Sequence, residues 1–279
     1  MACKKQFQNK TRPNRLAETI WHQYVFHRQK LADLSKQYKR SINWVKKQIK
    51  AVRVEIKPIT PRPVVIVVDS TFYKRIFGIM VVRAPALKRN IYWREIANEK
   101  IEDYRLTRIE FERLGWIIKA VVLDGRPGAK RVFSDIPVQM CQFHQKQIIN
   151  RRLTTRPKLP ASIELRTLTN TLTTTNERIF TQVLEHWYER WSAFLKERTY
   201  NQDNPKRWEY THQRTRSAYY SLKTNLPYLF TYQKYPNLHI PNTTNSLDGY
   251  FSHLKELTKL HRGLNKETKR KMIDEILAK

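Results

Sequence analysis

The chain has 279 residues and a large excess of positive charge: 54 Lys and Arg against 24 Asp and Glu give a formal charge of +30. Solubility does not require such an excess, which is typical of proteins that bind polyanions such as nucleic acids. No run of about 18 apolar residues and no apolar N-terminal stretch occur, which excludes a membrane span and a secretion signal. The six glycines exclude glycine-rich phosphate loops. We therefore expect a soluble, intracellular protein with no membrane partner.

Residues 1–57 predict a small helical domain that binds DNA. Residues 1–62 carry 16 Lys or Arg and only three Asp or Glu. Two stretches with apolar residues at helical spacing are separated at residues 39–41, and Ser41 is a favourable N-cap for the second helix. The pattern predicts a helix-turn-helix, with a merely basic helical pair as the alternative. The second helix carries the candidate DNA contacts Asn43, Lys46, Lys47 and Lys50.

A mixed α/β domain is predicted after a proline-rich linker at residues 58–63. Short β-branched and aromatic runs predict three meandering strands, after which helices and strands alternate. This order of elements predicts a mixed sheet flanked by helices. The predicted strands cover residues 64–69, 77–83, 89–96, 117–124 and 138–143, with a helix at about 102–114.

Three aspartates are placed where a backbone element can position them. Asp69 ends the first apolar run and Asp124 ends the fourth, whereas Asp248 lies near the start of a helix for which Asn245 or Ser246 is the expected cap. If the first and fourth strands are neighbours, Asp69 and Asp124 meet at the rim of the sheet. Three such carboxylates can hold two divalent metal ions, and in so basic a chain their substrate would be a phosphodiester. For each aspartate alone, a helix cap or a strand-end turn is the alternative.

Cys141 and His144 form a C-x-x-H pair between the second and third aspartates. A zinc site has four ligands, so this pair cannot complete one. From the sequence alone, a buried structural cysteine at the end of a strand is the expectation. Cys3 is similarly isolated, because it resembles the end of a zinc ribbon whose earlier cysteines are missing.

The long interval between Asp124 and Asp248 predicts an inserted domain. Residues 163–197 have a strongly helical pattern, with Thr175 or Asn176 as a cap and one apolar stripe. We expect this stripe to be core, with a base-stacking platform as the alternative for its two tryptophans. The stripe consists of Ile179, Val183, Trp187, Trp191 and Leu195.

Three short motifs occur in an order that resembles a known family. Asp124-Gly125 is followed by Cys141-Gln142-Phe143-His144 and then by Thr243-Thr244-Asn245-Ser246-Leu247-Asp248. This combination resembles DDE-type insertion-sequence transposases of the Mutator-like, C-x-x-H group, and the resemblance covers roughly residues 64–270. The family's third acid is usually Glu, so Asp248 is a departure.

The resemblance implies a ribonuclease H-like core that begins at residues 64–155, an all-helical insertion at 156–240, and a C-terminal helical part at 241–279 that carries the third acid. It implies that two Mg²⁺ or Mn²⁺ ions are held by Asp69, Asp124 and Asp248, with Cys141 and His144 as accessory active-site residues. Further DNA contacts are expected from Arg126, Lys255 and Arg262.

The function that the resemblance implies is a DNA transposase of a prokaryotic cytoplasm or nucleoid. Such an enzyme binds double-stranded DNA at element ends, cleaves it, and transfers the 3′-hydroxyl end to target DNA. A homodimer or larger assembly is expected, because two ends must be joined. The alternatives are an inactive transposase-derived DNA-binding protein and a metal-dependent nuclease without strand transfer.

Overall fold

The chain forms two compact units in the computed structural model. The helical unit combines residues up to Pro58 with Tyr250–Lys279, and the sheet unit consists of Ile59–Gly249. The structure describes residues 15–73, 77–204, 206–261 and 264–279.

Strands and helices occupy most of these residues. The strands are β1 (Pro63–Tyr73), β2 (Phe77–Ala84), β3 (Arg89–Ile96), β4 (Ile117–Leu123), β5 (Val138–Met140), β6 (Arg198–Tyr200) and β7 (Trp208–Tyr210). The helices are α1 (Arg15–Phe26), α2 (Leu31–Gln37), α3 (Ile42–Ala51), α4 (Ile101–Arg113), α5 (Ala129–Val132), α6 (Gln142–Leu153), α7 (Pro160–Asn170), α8 (Glu177–Lys196), α9 (Gln213–Leu229), α10 (Thr231–Lys234), α11 (Asn245–Leu260) and α12 (Lys266–Leu277). Within the described part of the chain, none of these helices has the length and apolar character that a membrane crossing requires.

The sheet unit is built on a five-stranded mixed sheet with the strand order β3-β2-β1-β4-β5. β2 pairs antiparallel with β1 and β3, whereas β4 pairs parallel with β1 and β5. The predicted mixed α/β architecture is therefore confirmed. Val64, Ile66 and Val68 of β1 share an apolar core with Tyr104 and Phe111 of α4.

β1 is longer than predicted, so Asp69 lies inside the strand and the prediction that Asp69 ends it was wrong. Pairing with β4 stops at Val67 opposite Val122, whereas pairing with β2 continues to Tyr73 opposite Phe77. The antiparallel neighbour extends the strand beyond its apolar run, which a hydrophobicity pattern does not reveal. Asp69 therefore lies just beyond the last residue pair between β1 and β4, in a part of β1 that still pairs with β2.

The region at residues 156–240 contains a β-hairpin, so the prediction of an all-helical insertion was wrong there. β6 and β7 pair antiparallel, from Arg198 opposite Tyr210 to Tyr200 opposite Trp208. Aromatic and β-branched residues favour strands, and the guanidinium carbon of Arg198 lies 3.9 Å from the centre of the Trp208 ring. The remainder of this region is dominated by α7, α8 and α9.

Asn176, one of the two predicted caps, is the N-cap of α8. Its side chain accepts a hydrogen bond from the Ile179 backbone N–H at 2.9 Å. The predicted apolar stripe is only partly buried. Ile179 and Val183 are 46% and 49% exposed, whereas Phe180 and Leu184 are buried. A strict four-residue repeat drifts around a helix with 3.6 residues per turn, so the first members of the stripe leave the buried face.

The tryptophans of α8 have structural partners. The indole N–H of Trp187 donates to the carbonyl of Ala161 at 3.2 Å, and that of Trp191 donates to a Glu164 carboxylate oxygen at 2.7 Å. Trp187 is buried in an apolar cluster with Leu165 and Leu184, and Trp191 packs against that cluster. The prediction that Trp187 is core is confirmed.

The helical unit contains the predicted pair of short helices. Lys39 adopts a positive φ of 50° in the turn between α2 and α3. Ser41 caps α3 as predicted, because its hydroxyl accepts the Trp44 backbone N–H at 3.2 Å. The candidate DNA contacts on α3 are all exposed; these are Asn43, Lys46, Lys47 and Lys50. Their binding to DNA stays a prediction.

The C-terminal helix α12 completes the packing of the N-terminal helices. The ammonium group of Lys271 donates to the carbonyl of Ile49 at 2.6 Å and lies 4.6 Å from the centre of the Trp21 ring. Ile49 is in the last turn of α3, where carbonyl groups lack partners within the helix. The indole N–H of Trp21 donates to a Glu275 carboxylate oxygen at 3.1 Å. The helical unit therefore depends on both ends of the chain.

Replacing Lys271 with Ala should destabilise the helical unit by about 1–2 kcal/mol, because the end of α3 loses a charged hydrogen-bond donor. Amide hydrogen exchange should show the loss in α3. Lys259→Ala removes an exposed ammonium group from α11 and is the matched control. Equal exchange in the two variants would contradict the assigned role of Lys271.

Candidate metal centre

Asp69, His144 and Asp248 converge in the sheet unit. Each offers one potential ligand atom, and these three atoms all lie within 4.8 Å of one another. They are contributed by the interior of β1, the first turn of α6 and the first turn of α11. Asp69 is buried, whereas His144 and Asp248 are partly exposed. Three distant stretches of sequence thus bring two carboxylates and one imidazole to one point.

Asp124 lies beside this group without being a member of it. It directly follows β4, whose last pair with β1 joins Val122 to Val67, so Asp124 and Asp69 each lie two residues beyond that pair. One carboxylate oxygen of Asp124 accepts the backbone N–H of Arg126 at 3.0 Å. The two acids therefore share one rim of the sheet, as expected, but Asp124 is held within its own turn.

Thr244 connects the members of the group, and sequence reasoning gave it no role. Its hydroxyl oxygen lies 3.0 Å from a carboxylate oxygen of Asp248, 3.2 Å from Nδ1 of His144 and 3.4 Å from the sulfur of Cys141. Its backbone N–H donates to the same sulfur at 3.2 Å. The side chain is fully buried, and its hydroxyl, which has one proton to donate, is in contact with all three neighbours.

Thr244 also occupies the position immediately before α11. Its carbonyl accepts the backbone N–H groups of Leu247 at 2.7 Å and of Asp248 at 3.2 Å, as the N-cap carbonyl of a helix does. The expectation that Asn245 or Ser246 caps this helix was wrong, since α11 begins at Asn245. The T-T-N sequence could have signalled this cap, because Thr is a favoured N-cap residue.

His144 carries a proton at neutral pH. Its hydrogen bond with Cys141 raises its pKa to about 9 against the opposing effect of burial, and the charges of Asp69 and Asp248 add to the increase. Burial alone would raise the pKa of the Cys141 thiol, but hydrogen bonds from His144 and Thr244 outweigh it and lower that pKa. The imidazolium ring therefore lies between a sulfur and two carboxylates that its charge stabilises.

Asp69 is the most perturbed acid of the group. Burial raises its pKa to about 7; the backbone N–H of Ser70 lowers it, and the charge of Asp124 raises it further. The Ser70 N–H donates to the Asp69 carboxylate at 2.7 Å. A strongly perturbed acid at the rim of a sheet is a typical property of functional sites.

Glu99 was missed by sequence reasoning, and it lies near Asp124. The hydroxyl of Tyr104 donates to its carboxylate, and a guanidinium nitrogen of Arg126 lies 3.7 Å from it. Burial raises the pKa of Glu99, and the charge of Asp124 contributes to the increase. No local pattern distinguishes this glutamate from other acids near helix starts, so only the fold could reveal it.

The other predicted DNA contacts are distributed over both units. Arg126 is half-buried in the sheet unit, beside Glu99. Lys255 is exposed on the part of α11 that belongs to the helical unit. Arg262 and the possible zinc-ribbon residue Cys3 lie outside the described residues.

The donor set at this centre fits a divalent metal ion. Carboxylate oxygens such as those of Asp69 and Asp248 are the ligands that Mg²⁺ and Mn²⁺ prefer, whereas the imidazole of His144 suits zinc and other transition metals. A ligating imidazole must be neutral, so a metal bound by His144 would have to displace its proton.

Comparison with known proteins assigns the chain to no family. No protein-family model matches it, and no curated protein matches it.

Asp69→Asn should stabilise the protein in EDTA above pH 7. An unfolded Asp ionises near pH 4, whereas folded Asp69 ionises at about pH 7, so the wild type should lose stability as the pH rises between these values. The loss should be about 4 kcal/mol, since each of the roughly three pKa units is worth about 1.4 kcal/mol, and the Asn variant should lack it. Thermal unfolding from pH 4 to 8 measures the effect, with exposed Asp203→Asn as control. Parallel pH profiles for all three proteins would refute the prediction.

Thr244→Val should weaken Mn²⁺ binding about 10- to 100-fold, the usual cost of losing a group that orients metal ligands. Valine keeps the shape of the side chain but cannot hydrogen-bond Asp248 or His144. Thr244→Ser keeps the hydroxyl and should bind Mn²⁺ like the wild type in isothermal titration calorimetry. Equal affinities of the Val and Ser variants would show that the hydroxyl has no such role.

Proposed function

We propose that this chain is a DNA transposase of the DDE type with aspartate as its third acid and a ribonuclease H-like core. The observation that supports the proposal is the convergence of Asp69, His144 and Asp248, with Asp124 directly after the neighbouring strand β4. Such a cluster at the rim of a mixed sheet, in a chain of formal charge +30, is suited to a phosphodiester substrate.

Asp69, Asp124 and Asp248 would hold the metal ions, and Asp69 is the member next to both of the others. When bound, two Mg²⁺ or Mn²⁺ ions supply the Lewis acidity that activates water or a DNA 3′-hydroxyl and stabilises the leaving oxygen. Thr244 orients the Asp248 carboxylate through its hydroxyl. The half-buried imidazolium of His144 is a hydrogen-bond donor that suits a phosphate oxygen.

The helical unit would bind double-stranded DNA at the element ends. Its second short helix, α3, presents Asn43, Lys46, Lys47 and Lys50 to solvent, as the recognition helix of a helix-turn-helix does. Joining two ends to a target requires two active sites, so we propose a homodimer or larger assembly that acts on chromosomal DNA in a prokaryotic cytoplasm.

A specific observation favours a second candidate, a non-catalytic DNA-binding protein derived from such an enzyme. Asp248 is one methylene shorter than the glutamate usual in the family. This departure is compatible with a centre that no longer holds metal.

Incubation of the full chain with plasmid DNA that carries the flanks of its own gene, in Mg²⁺ or Mn²⁺, tests the proposal. We expect cleavage and end joining, each reduced at least about 100-fold in Asp69→Asn, Asp124→Asn and Asp248→Asn, because a lost metal ligand costs several kcal/mol of charge stabilisation. Asp203→Asn, in an exposed loop, is the matched control.

The products separate the candidates. Cleavage without joining would show that the protein is a nuclease and not a transposase. DNA binding without cleavage would show that it is the non-catalytic DNA-binding protein. Asp248→Glu restores the usual third acid, so a gain of activity in this variant would identify Asp248 as the cause of a weakened centre.

A further inference from the structure

A basic groove lies on the sheet unit, separate from the cluster of Asp69, His144 and Asp248. Its cavity has a volume of about 880 Å³ and is lined by the Gly125–Arg131 loop and α5, by the end of α6 and by one face of α9. Four cationic side chains line it, and none of its lining residues is acidic. These cations are Lys130, Arg131, Arg151 and Arg152.

The floor of the groove is an organised polar network. The ammonium group of Lys130 donates to the side-chain carbonyl of Asn225 at 2.7 Å, and Asn225 donates in turn to Gln145 at 2.8 Å. Gln145 donates to the hydroxyl of Ser221 at 3.3 Å. Asn225 and Gln145 are buried, so these partners hold the half-buried Lys130 in one position.

Lys130 has no carboxylate partner among the described residues. Its ammonium group lies 4.1 Å from the centre of the Tyr228 ring, and this cation–π contact and the neutral Asn225 replace a counter-ion. A half-buried cation without an acid costs solvation energy that an anionic ligand would recover. No carboxylate among the lining residues neutralises the positive charge of the groove.

The α9 wall adds an aromatic ring and three hydroxyl groups. Tyr220 lines the groove and is 37% exposed, and the guanidinium carbon of Arg216 lies 4.7 Å from its ring centre. The hydroxyls belong to Ser217, Ser221 and Thr224. Cations that track a phosphate backbone, combined with an exposed aromatic ring on which a base can stack, are the features of sites for single-stranded nucleic acid.

One end of the groove adjoins the proposed catalytic rim. Gly125 lines the groove and directly follows Asp124. Its φ is +91°, and a Cβ atom there would lie 2.2 Å from Cε of the buried Met140. The backbone thus turns at Gly125 in a conformation that only glycine adopts readily, and it leads from the acid into the basic wall.

We propose that the basic groove binds a single nucleic-acid strand, with phosphates on Lys130, Arg131, Arg151 and Arg152 and a base on Tyr220. Only the identification of this strand as the one that is cleaved rests on the proposed function. The groove would hold unpaired DNA next to the centre that acts on it.

Salt-dependent binding of a fluorescein-labelled single-stranded oligodeoxynucleotide to the full chain in EDTA tests the proposal. Arg151→Ala/Arg152→Ala should reduce the slope of log affinity against log salt by about 1.4, since each lost phosphate contact removes about 0.7 for a single strand. The matched control Arg178→Ala/Lys196→Ala removes two exposed cations from α8 and should leave the slope near the wild-type value. Equal slopes for the two double variants would overturn the proposal.

Photo-crosslinking with bromodeoxyuridine in the oligonucleotide gives a local readout. We expect the adduct in the α9 peptide at Tyr220 and its loss in Tyr220→Leu, whereas Tyr235→Leu, at another exposed tyrosine, should retain it. Adducts confined to the helical unit would overturn the proposal. A change of salt slope in Arg151→Ala/Arg152→Ala that occurs with duplex DNA but not with the single strand would also overturn it.

The two proposals fail separately. Binding in EDTA requires no metal, so loss of cleavage activity in every metal-dependent assay would leave the groove result unchanged. If the protein cleaves DNA normally but its groove variants bind the oligonucleotide like the control, the groove proposal fails and the catalytic proposal stands.

Discussion

Burial of the Asp69 carboxylate is the constraint around which the centre is organised. A carboxylate in the interior of a sheet is costly unless a cation or hydrogen-bond donors compensate it. Here the compensation comes from distant sequence: α6 contributes His144, and the segment before α11 holds that ring through Thr244. A backbone hydrogen bond of 2.9 Å from Gln142 N–H to the Asn242 carbonyl joins these two segments. The convergence of β1, α6 and α11 thus serves one buried acid.

Much of the sheet could be predicted from sequence because its strands are short runs of β-branched residues. β3 agrees with the prediction at both ends, at Arg89 and Ile96. The errors arose where a partner outside the local sequence determines the outcome. β1 extends past Asp69 because β2 continues to pair with it, and the β6–β7 hairpin forms within a region whose overall pattern is helical. A one-dimensional pattern records burial and propensity but not pairing.

The centre was only partly predictable for a related reason. Asp69, Asp248 and His144 are brought together, but His144 was expected to be accessory and lies within reach of the carboxylates, whereas Asp124 was expected to be an equal member and lies beside the group. Glu99 carries no local sign of its position, and the local sequence of Thr244 could have signalled only its place at the start of α11, because the other contacts of both residues are made across the fold. The order of motifs indicated which residues to consider, and only three-dimensional packing assigns their neighbours.

The helical unit packs α1–α3 against α12, which is synthesised much later, and this order has a consequence for folding during synthesis. α1–α3 leave the ribosome roughly 10–40 s before α12, at about 5–20 residues per second. During that interval Trp21 and the end of α3 lack the Glu275 and Lys271 side chains that later satisfy them. A truncated translation product would therefore display the basic N-terminal helices without their packing partner. The N-terminal helices therefore acquire all of their packing contacts only after α12 has been synthesised.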